Sequence, residues 1–325
     1  MSTLTITPEE LAKSAAKFRK ELLIMSVIAL QSTLKHMSLR TGIRYKETVG
    51  EMSGSIEMGP YSETRKNESN VKINGRVLET FFGSVWEQFS PNSVYKSIYG
   101  DSIVIGEGLK NVPIAKAVLA FLMKKLSGTL NKNIWGAIRN DSGNTTADLF
   151  NGFDTITETE ITAGNIAVAK KNLYEFTASI DATNAVDLLK AFYRAATDEL
   201  QGDGDETVKL KLFMPKSIYN AYVDDYQATV GAVPYNKQFN KTFLEGSNDL
   251  CELVALPNKK TSPYLHLSPK TNMLVGVDQE SDTEKITIEK HHPFLLDFVA
   301  AMFFGCQFES ISPERLLVGK LFVAP

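Results

Sequence analysis

Residues 111–143 read NVPIAKAVLAFLMKKLSGTLNKNIWGAIRNDSG. Asn111-Val112-Pro113 is a helix start, and Ile114, Val118, Leu122, Leu126, Leu130, Ile134 and Ile138 then recur every four residues along one face. The spacing predicts a helix over 114–138, about 25 residues and roughly 37 Å long, where the average globular helix has about 11–12 residues. Gly128 is the place for a bend, and Arg139-Asn140-Asp141-Ser142-Gly143 supplies turn and cap residues that end it.

Upstream, Thr7-Pro8-Glu9-Glu10 is a capping box with proline at the first helical position, and it predicts a helix over 7–38. Leu11, Ala15, Phe18, Leu22, Met25 and Ala29 draw an apolar stripe along it, to be packed on the chain's own core or on a neighbouring subunit. Residues 41–78 are polar and punctuated by Gly42, Gly50, Gly54, Gly59, Pro60 and Gly75, with β-prone pieces at 43–49 and 70–78. They predict an extended hairpin with too few large apolar residues to bury itself, either a projecting grip or a mobile surface loop. Phe81, Phe82, Val85, Trp86, Phe89, Val94, Tyr95 and Ile98 crowd the next stretch, which reads as core.

Downstream, a helix is expected over about 184–200 and a half-buried strand over 207–214, with a short helix after Pro215. Further strands are expected at 252–256, 264–267, 273–277 and 284–290, then an apolar stretch at 294–308 and a last strand at 316–323. Strands and helices without strict alternation give an α+β class, not a doubly wound sheet.

At 325 residues the chain has room for a multi-lobed subunit. Its 43% hydrophobic and 22% charged composition is that of a soluble globular protein. A net charge of −3 lacks the basic excess of a dedicated nucleic-acid binder. Two cysteines, Cys251 and Cys306, give no disulfide framework and fit a reducing place of synthesis. Lys13, Lys17, Arg19 and Lys20 before the apolar run 22–30 resemble a signal peptide only superficially, because no small-x-small cleavage site follows. That run and 294–306, which carries Asp297, are both too short to span a bilayer, so no membrane partner is expected.

The search for chemistry gives no catalytic, cofactor or metal residues. His36, His266, His291 and His292 have no metal-ligand spacing, and the adjacent pair points to opposite faces of a strand. Asp203-Gly204-Asp205-Glu206 fails the calcium-loop pattern at Thr207 and Val208. Gly106-Glu107-Gly108 lacks the rest of a phosphate loop, no G-x-S-x-G elbow occurs, and Asp224-Asp225 is an ordinary surface pattern. A hydrolase triad assembled only in space, with His266 or His291, stays open as an alternative.

The order of arm, polar hairpin, aromatic-rich strand, long helix, mixed lobe and closing strands resembles the major capsid proteins of tailed bacteriophages, the Hong Kong 97-type fold. Local likenesses carry it: 140–154 is similar to the turn that leaves the family's spine helix, and Leu212-Phe213-Met214-Pro215-Lys216-Ser217-Ile218-Tyr219 to the strand that feeds a short helix in its A-domain. The segments 272–277, 285–288 and 294–308 are similar to the closing strands, and 315–321 to the terminal strand. The resemblance implies an N-terminal arm at 1–40 and an E-loop at 41–80. It implies a P-domain at 81–160 and 284–312 with its spine helix at 114–138, and an A-domain at 161–283 and 313–325.

It further implies a structural homo-oligomer of pentamers and hexamers, with a portal, packaged DNA touched non-specifically, and a virion location after synthesis in the host bacterial cytoplasm. A separate scaffold protein is expected, since no long region precedes the arm. Inter-subunit contacts are expected from Arg44, Lys46, Glu47, Glu63, Arg65, Lys66 and Glu68 on the hairpin, and from Phe18, Leu22 and Met25 on the arm. An encapsulin-type compartment shell, which shares this fold and encloses protein cargo, is the near alternative.

Overall fold

The computed structural model describes residues 31–53, 61, 72–89, 114–202, 209–230, 242–278, 287–292 and 295–322. In chain order these form α1 (Gln31–Leu34), β1 (Ser38–Thr41), β2 (Lys46–Ser53), β3 (Lys72–Glu79), β4 (Phe81–Phe89), α2 (Ile114–Asn133), α3 (Phe153–Thr162), β5 (Leu173–Glu175) and α4 (Ala185–Arg194). There follow β6 (Leu210–Pro215), α5 (Lys216–Val230), β7 (Cys251–Leu256), β8 (Tyr264–Pro269), β9 (Met273–Val277), β10 (Thr287–His292), β11 (Leu295–Phe308) and β12 (Leu317–Lys320). The class is α+β, as expected. Of the helix predicted over 7–38, residues 31–38 are described and it stops short of the prediction: α1 ends at Leu34, the N–H groups of His36 and Met37 turn back to the Thr33 and Leu34 carbonyls, and Ser38 opens β1, which is drawn into parallel pairing with β9. The stripe residues Phe18, Leu22 and Met25 lie outside the described residues.

Three sheets organise the chain. The first has the order β1-β9-β11-β10, with β4 also paired to β11, and the second the order β5-β12-β8-β6-β7. The third is the hairpin β2-β3, antiparallel from Lys46↔Glu79 to Ser53↔Lys72. β11 is the apolar stretch read from the sequence. Its 14 residues reach past β10 and β4 at one end to β9 at the other, where Phe304↔Val277 leads to Phe308↔Met273. β9, inside the stretch 161–283, therefore belongs to the first sheet.

One core lies between the two large sheets, with Val275 and Phe304 from the first and Phe213, Val254 and Val318 from the second, and another lies on the far side of the second sheet. Trp135, Phe150, Phe153, Phe304 and Phe308 centre the first core, while Leu189, Phe192, Leu212, Tyr222 and Leu265 centre the second. α4 shows how the pattern acts: Val186, Leu189, Phe192 and Tyr193 recur at helical spacing and all are buried. Each such side chain contributes about 1.5–3 kcal/mol of hydrophobic stabilisation. The N-terminus of α4 is held by α5, whose buried Asp225 accepts a hydrogen bond from the Val186 N–H at 2.7 Å. One member of the Asp224-Asp225 pair is thus a helix cap rather than a surface charge.

The long helix is shorter than its apolar spacing predicts, because α2 ends at Asn133 and not at 138. The carbonyls of Ile134 and Trp135 accept the N–H groups of Phe153 and Asp154, so the first turn of α3 takes up what the helix would have used to continue. Gly152 lets the two segments touch; a Cβ there would overlap the Trp135 carbonyl. The helix expected over 184–200 ends at Arg194, and the short helix after Pro215 is α5, with 15 residues.

Candidate inter-subunit surface

The hairpin leaves the body through a small apolar root of Ile43, Val49, Leu78 and Leu274. Polar bonds fix its angle. Thr80 N–H donates to the Tyr45 carbonyl at 2.7 Å, Thr80 Oγ1 to the Ile43 carbonyl at 3.2 Å, and Gln307 Nε2 to the Val77 carbonyl at 3.1 Å. Arg76 Nη2 on β3 donates to Glu160 Oε1 of α3 at 2.6 Å and to Gln307 Oε1 of β11 at 3.1 Å. Burial would raise the Glu160 carboxyl, but hydrogen bonds from Asn165 and Arg76 and the Arg76 charge hold it below its ordinary value.

The charges expected to reach neighbours are distributed around this root. Arg44 Nε pairs with the buried Asp278 Oδ2 at 2.7 Å, and Lys46 Nζ with Glu79 Oε1 at 3.1 Å, both within the chain. Their side chains stay 60% and 64% exposed, so each keeps a solvent-facing side, and Glu47 is exposed beside them. Glu63, Arg65, Lys66 and Glu68 lie outside the described residues, as do Phe18, Leu22 and Met25.

A surface that the sequence reading missed lies next to the root. The register of β4 on β11 pairs Phe81 with Phe304 and Gly83 with Met302 on the inner face, and Phe82 with Phe303, Ser84 with Ala301 and Trp86 with Val299 on the outer face. Phe82 is 47% and Trp86 67% exposed, and Tyr45, 65% exposed, sets its ring edge-on against Phe303 at 5.2 Å. Tyr45 has φ 68, a left-handed backbone that a bulky residue adopts only at a cost. The stretch read as core therefore has two faces, and the outer one presents Tyr45, Phe82 and Trp86 to solvent. Two-residue alternation, applied to 81–89, carries this signal.

Between α3 and β8 of the second sheet lies a buried polar set. Lys259 Nζ meets Asp154 Oδ1 at 2.8 Å and Ser262 Oγ at 2.7 Å and stands 3.8 Å from the Trp135 ring centre. His266 Nε2 meets Thr157 Oγ1 at 2.9 Å, while its Nδ1 is 4.0 Å from Asp154 Oδ1, beyond hydrogen-bond range. Thr157 Oγ1 also bonds the Phe153 carbonyl at 2.8 Å. Burial first and Lys259 second hold the His266 pKa well below the ordinary value. Thr157 and His266 are both fully buried, so this Thr–His–Asp arrangement offers no substrate a path to the hydroxyl. Ser262 bonds Lys259 and the Tyr264 carbonyl, not His266, and burial pushes both cysteine thiols far up. The spatial clustering asked of a hydrolase occurs, but in packed core and not in a cleft. Among the described residues no group of acidic, histidine and cysteine side chains is placed to hold a metal, and no helix is long and apolar enough to cross a membrane.

No protein-family model matches the sequence, and no curated protein matches it. Solved structures do. A chain of the satellite phage P4 procapsid, whose structure includes the size determination (Sid) protein, superposes with a TM-score of 0.55 at 10% identity, covering 90% of this chain and 97% of that one. A chain of the cyanophage A-1(L) capsid asymmetric unit gives 0.54 at 15% identity over 92% and 93% of the two chains. A chain of the native GTA particle capsid gives 0.56 at 10% identity over 90% and 91%. The fold is that of phage capsid chains. The capsid fold implied by the order of elements is thus the fold found, at 10–15% identity.

Proposed function

We propose that the chain is a structural shell subunit, the major capsid protein of a tailed phage or prophage, which assembles into pentamers and hexamers around DNA. The observation that carries this reading is the shared fold, which spans 90% of this chain and 97% of the P4 procapsid chain and so leaves little of either for another task. An outward aromatic face beside a rigidly rooted hairpin suits a subunit that must grip copies of itself, since shells close by repeated contacts between unlike patches. Arg44, Lys46, Glu47, Glu63, Arg65, Lys66 and Glu68 would set the register of those contacts, and Phe18, Leu22 and Met25 would supply the arm's apolar stripe. Exposed charge pairs are weak individually, so they act in specificity more than in strength.

The division into arm (1–40), E-loop (41–80), P-domain (81–160 and 284–312) and A-domain (161–283 and 313–325) belongs to the same reading, with β9 joined to the P-domain sheet. The two separate sheets support it. A separate scaffold, a portal and non-specific contact with packaged DNA are the partners, the virion is the destination after synthesis in the host cytoplasm, and the chain performs no catalysis. Size-exclusion chromatography with light scattering, followed by negative-stain microscopy, tests the reading over a range of concentration and salt. Pentamers, hexamers or closed shells are expected; a strict monomer under every condition, including co-expression with the neighbouring genes, overturns it.

A further inference from the structure

The last turn of α2, the α1 turn and the outer edge of β7 line an open, concave cavity of about 580 Å³. β7 ends its sheet, so one row of its backbone groups faces outward. Leu253 turns its N–H to that side, where the Thr242 carbonyl takes it at 2.8 Å. By two-residue alternation Ala255 turns its N–H the same way, toward the cavity that it lines. Asn131 is fixed through its side-chain oxygen, which accepts from Thr33 Oγ1 at 2.7 Å and from Asn258 Nδ2 at 3.1 Å. This leaves Asn131 Nδ2 as a donor with no partner among the described residues. Asn258 Oδ1 is buried without a partner, an acceptor suited to a protonated oxygen or a water.

The charge around the cavity is unbalanced. Lys35, Lys211 and Lys270 all act on His36, against one acid, Glu252. Glu252 already pairs with Lys211 and lies 3.5 Å from His36 Nδ1. Lys132 lines the helix side of the same cavity, and Lys35, Lys132 and Lys270 have no acidic partner among the described residues. A concave site with uncompensated ammonium groups and fixed N–H donors suits a compact oxyanion.

We infer that this cavity is a phosphate-binding site, which takes the group either as a free anion or as part of a nucleic-acid backbone. Lys35 and Lys132 supply the charge, and the Asn131 amide and the Ala255 N–H supply directed donors. His36 stands at the wall as a neutral imidazole, pushed down to about 4 by burial and by Lys211, so it reports the local potential without competing for the anion.

The test uses the full chain with isotope-labelled histidine, its His36 signal assigned by His36→Gln, titrated with inorganic phosphate and then with a short DNA duplex. A saturable His36 shift is expected, with a titration midpoint that rises as the bound anion offsets the lysines. The Lys35→Gln/Lys132→Gln variant, altered at two exposed positions, should bind at least tenfold more weakly. Saturation by phosphate alone identifies a free-anion site, while tighter binding of DNA that competes with phosphate identifies a backbone site. An equal shift from chloride at matched ionic strength, no shift from either ligand, or undiminished binding by the lysine variant overturns the inference. The DNA arm rests on the shell reading and the phosphate arm does not, so failure of one without the other separates the two ideas.

Discussion

Lys259 shows what a single buried charge does here. Its side chain is wholly buried, and burial pushes the ammonium down to about 8 while Asp154 works in the opposite direction. Removing the lysine leaves a carboxylate in apolar surroundings, so Lys259→Met should lose about 3–5 kcal/mol in urea unfolding, and Lys259→Met/Asp154→Leu should recover most of it. A double variant as unstable as the single one would show that the pair is not the source of the loss. His36 makes the opposite kind of statement, about pH. Its folded pKa of about 4 lies below the ordinary 6.5, so between those values the unfolded chain binds more protons than the folded one. The contribution of the neutral imidazole is present above pH 6.5 and is lost as pH falls toward 4. The difference in unfolding free energy between wild type and His36→Gln should therefore shrink between pH 7 and pH 4.5, and a constant difference would refute the assignment. Neither residue was legible in the sequence, because a lone Lys or His gives no local sign of the partners that the fold brings to it.

At the scale of elements, the joint between α2 and α3 turns a helix end into a tertiary contact. Two helix termini satisfy each other through Ile134, Trp135, Phe153 and Asp154, and Gly152 is the residue that permits the approach. Gly152→Ala should cost roughly 1–3 kcal/mol or more by overpacking, with loss of amide-exchange protection at Phe153 and Asp154 before the rest of α3. Protection that falls evenly along the chain would point to a global effect instead. This joint also explains why the sequence reading ran past Asn133: the spacing of Ile134 and Ile138 continues the helical pattern, and only a long-range backbone contact stops it. Elements whose cause is local were legible. The hairpin strands followed from β-prone runs set between glycines, and β8 and β9 from short apolar runs between turn residues. Phe82 and Trp86 were misplaced because aromatic density says that a strand is apolar on both faces without saying that both faces are covered.

At the scale of the whole molecule, the question is what covers that outer face. A fully buried aromatic side chain contributes about 150–250 Å² of contact, so Tyr45, Phe82 and Trp86 together offer the centre of an interface but not the roughly 1,000 Å² that a specific one needs. The remainder must come from elements that project, and the rooted hairpin is next to the patch. The aromatic face and the hairpin thus form one surface, whose occupant under the shell-subunit proposal is a second copy of this chain. Phe82→Ser/Trp86→Ser separates folding from assembly, because Trp86 is 67% exposed and Phe82, which packs on Phe303, is 47% exposed in the single subunit. Its unfolding free energy should fall by no more than about 2 kcal/mol, most of it from the half-buried Phe82 ring, since the Trp86 site is nearly neutral. Its assembly should fail, with rings and shells replaced by monomers in light scattering at concentrations where the wild type assembles. Intact shells from the double variant would place the subunit contacts elsewhere and leave the exposed aromatics without a task, whereas a large fall in its unfolding midpoint would show that the face is covered within the chain itself.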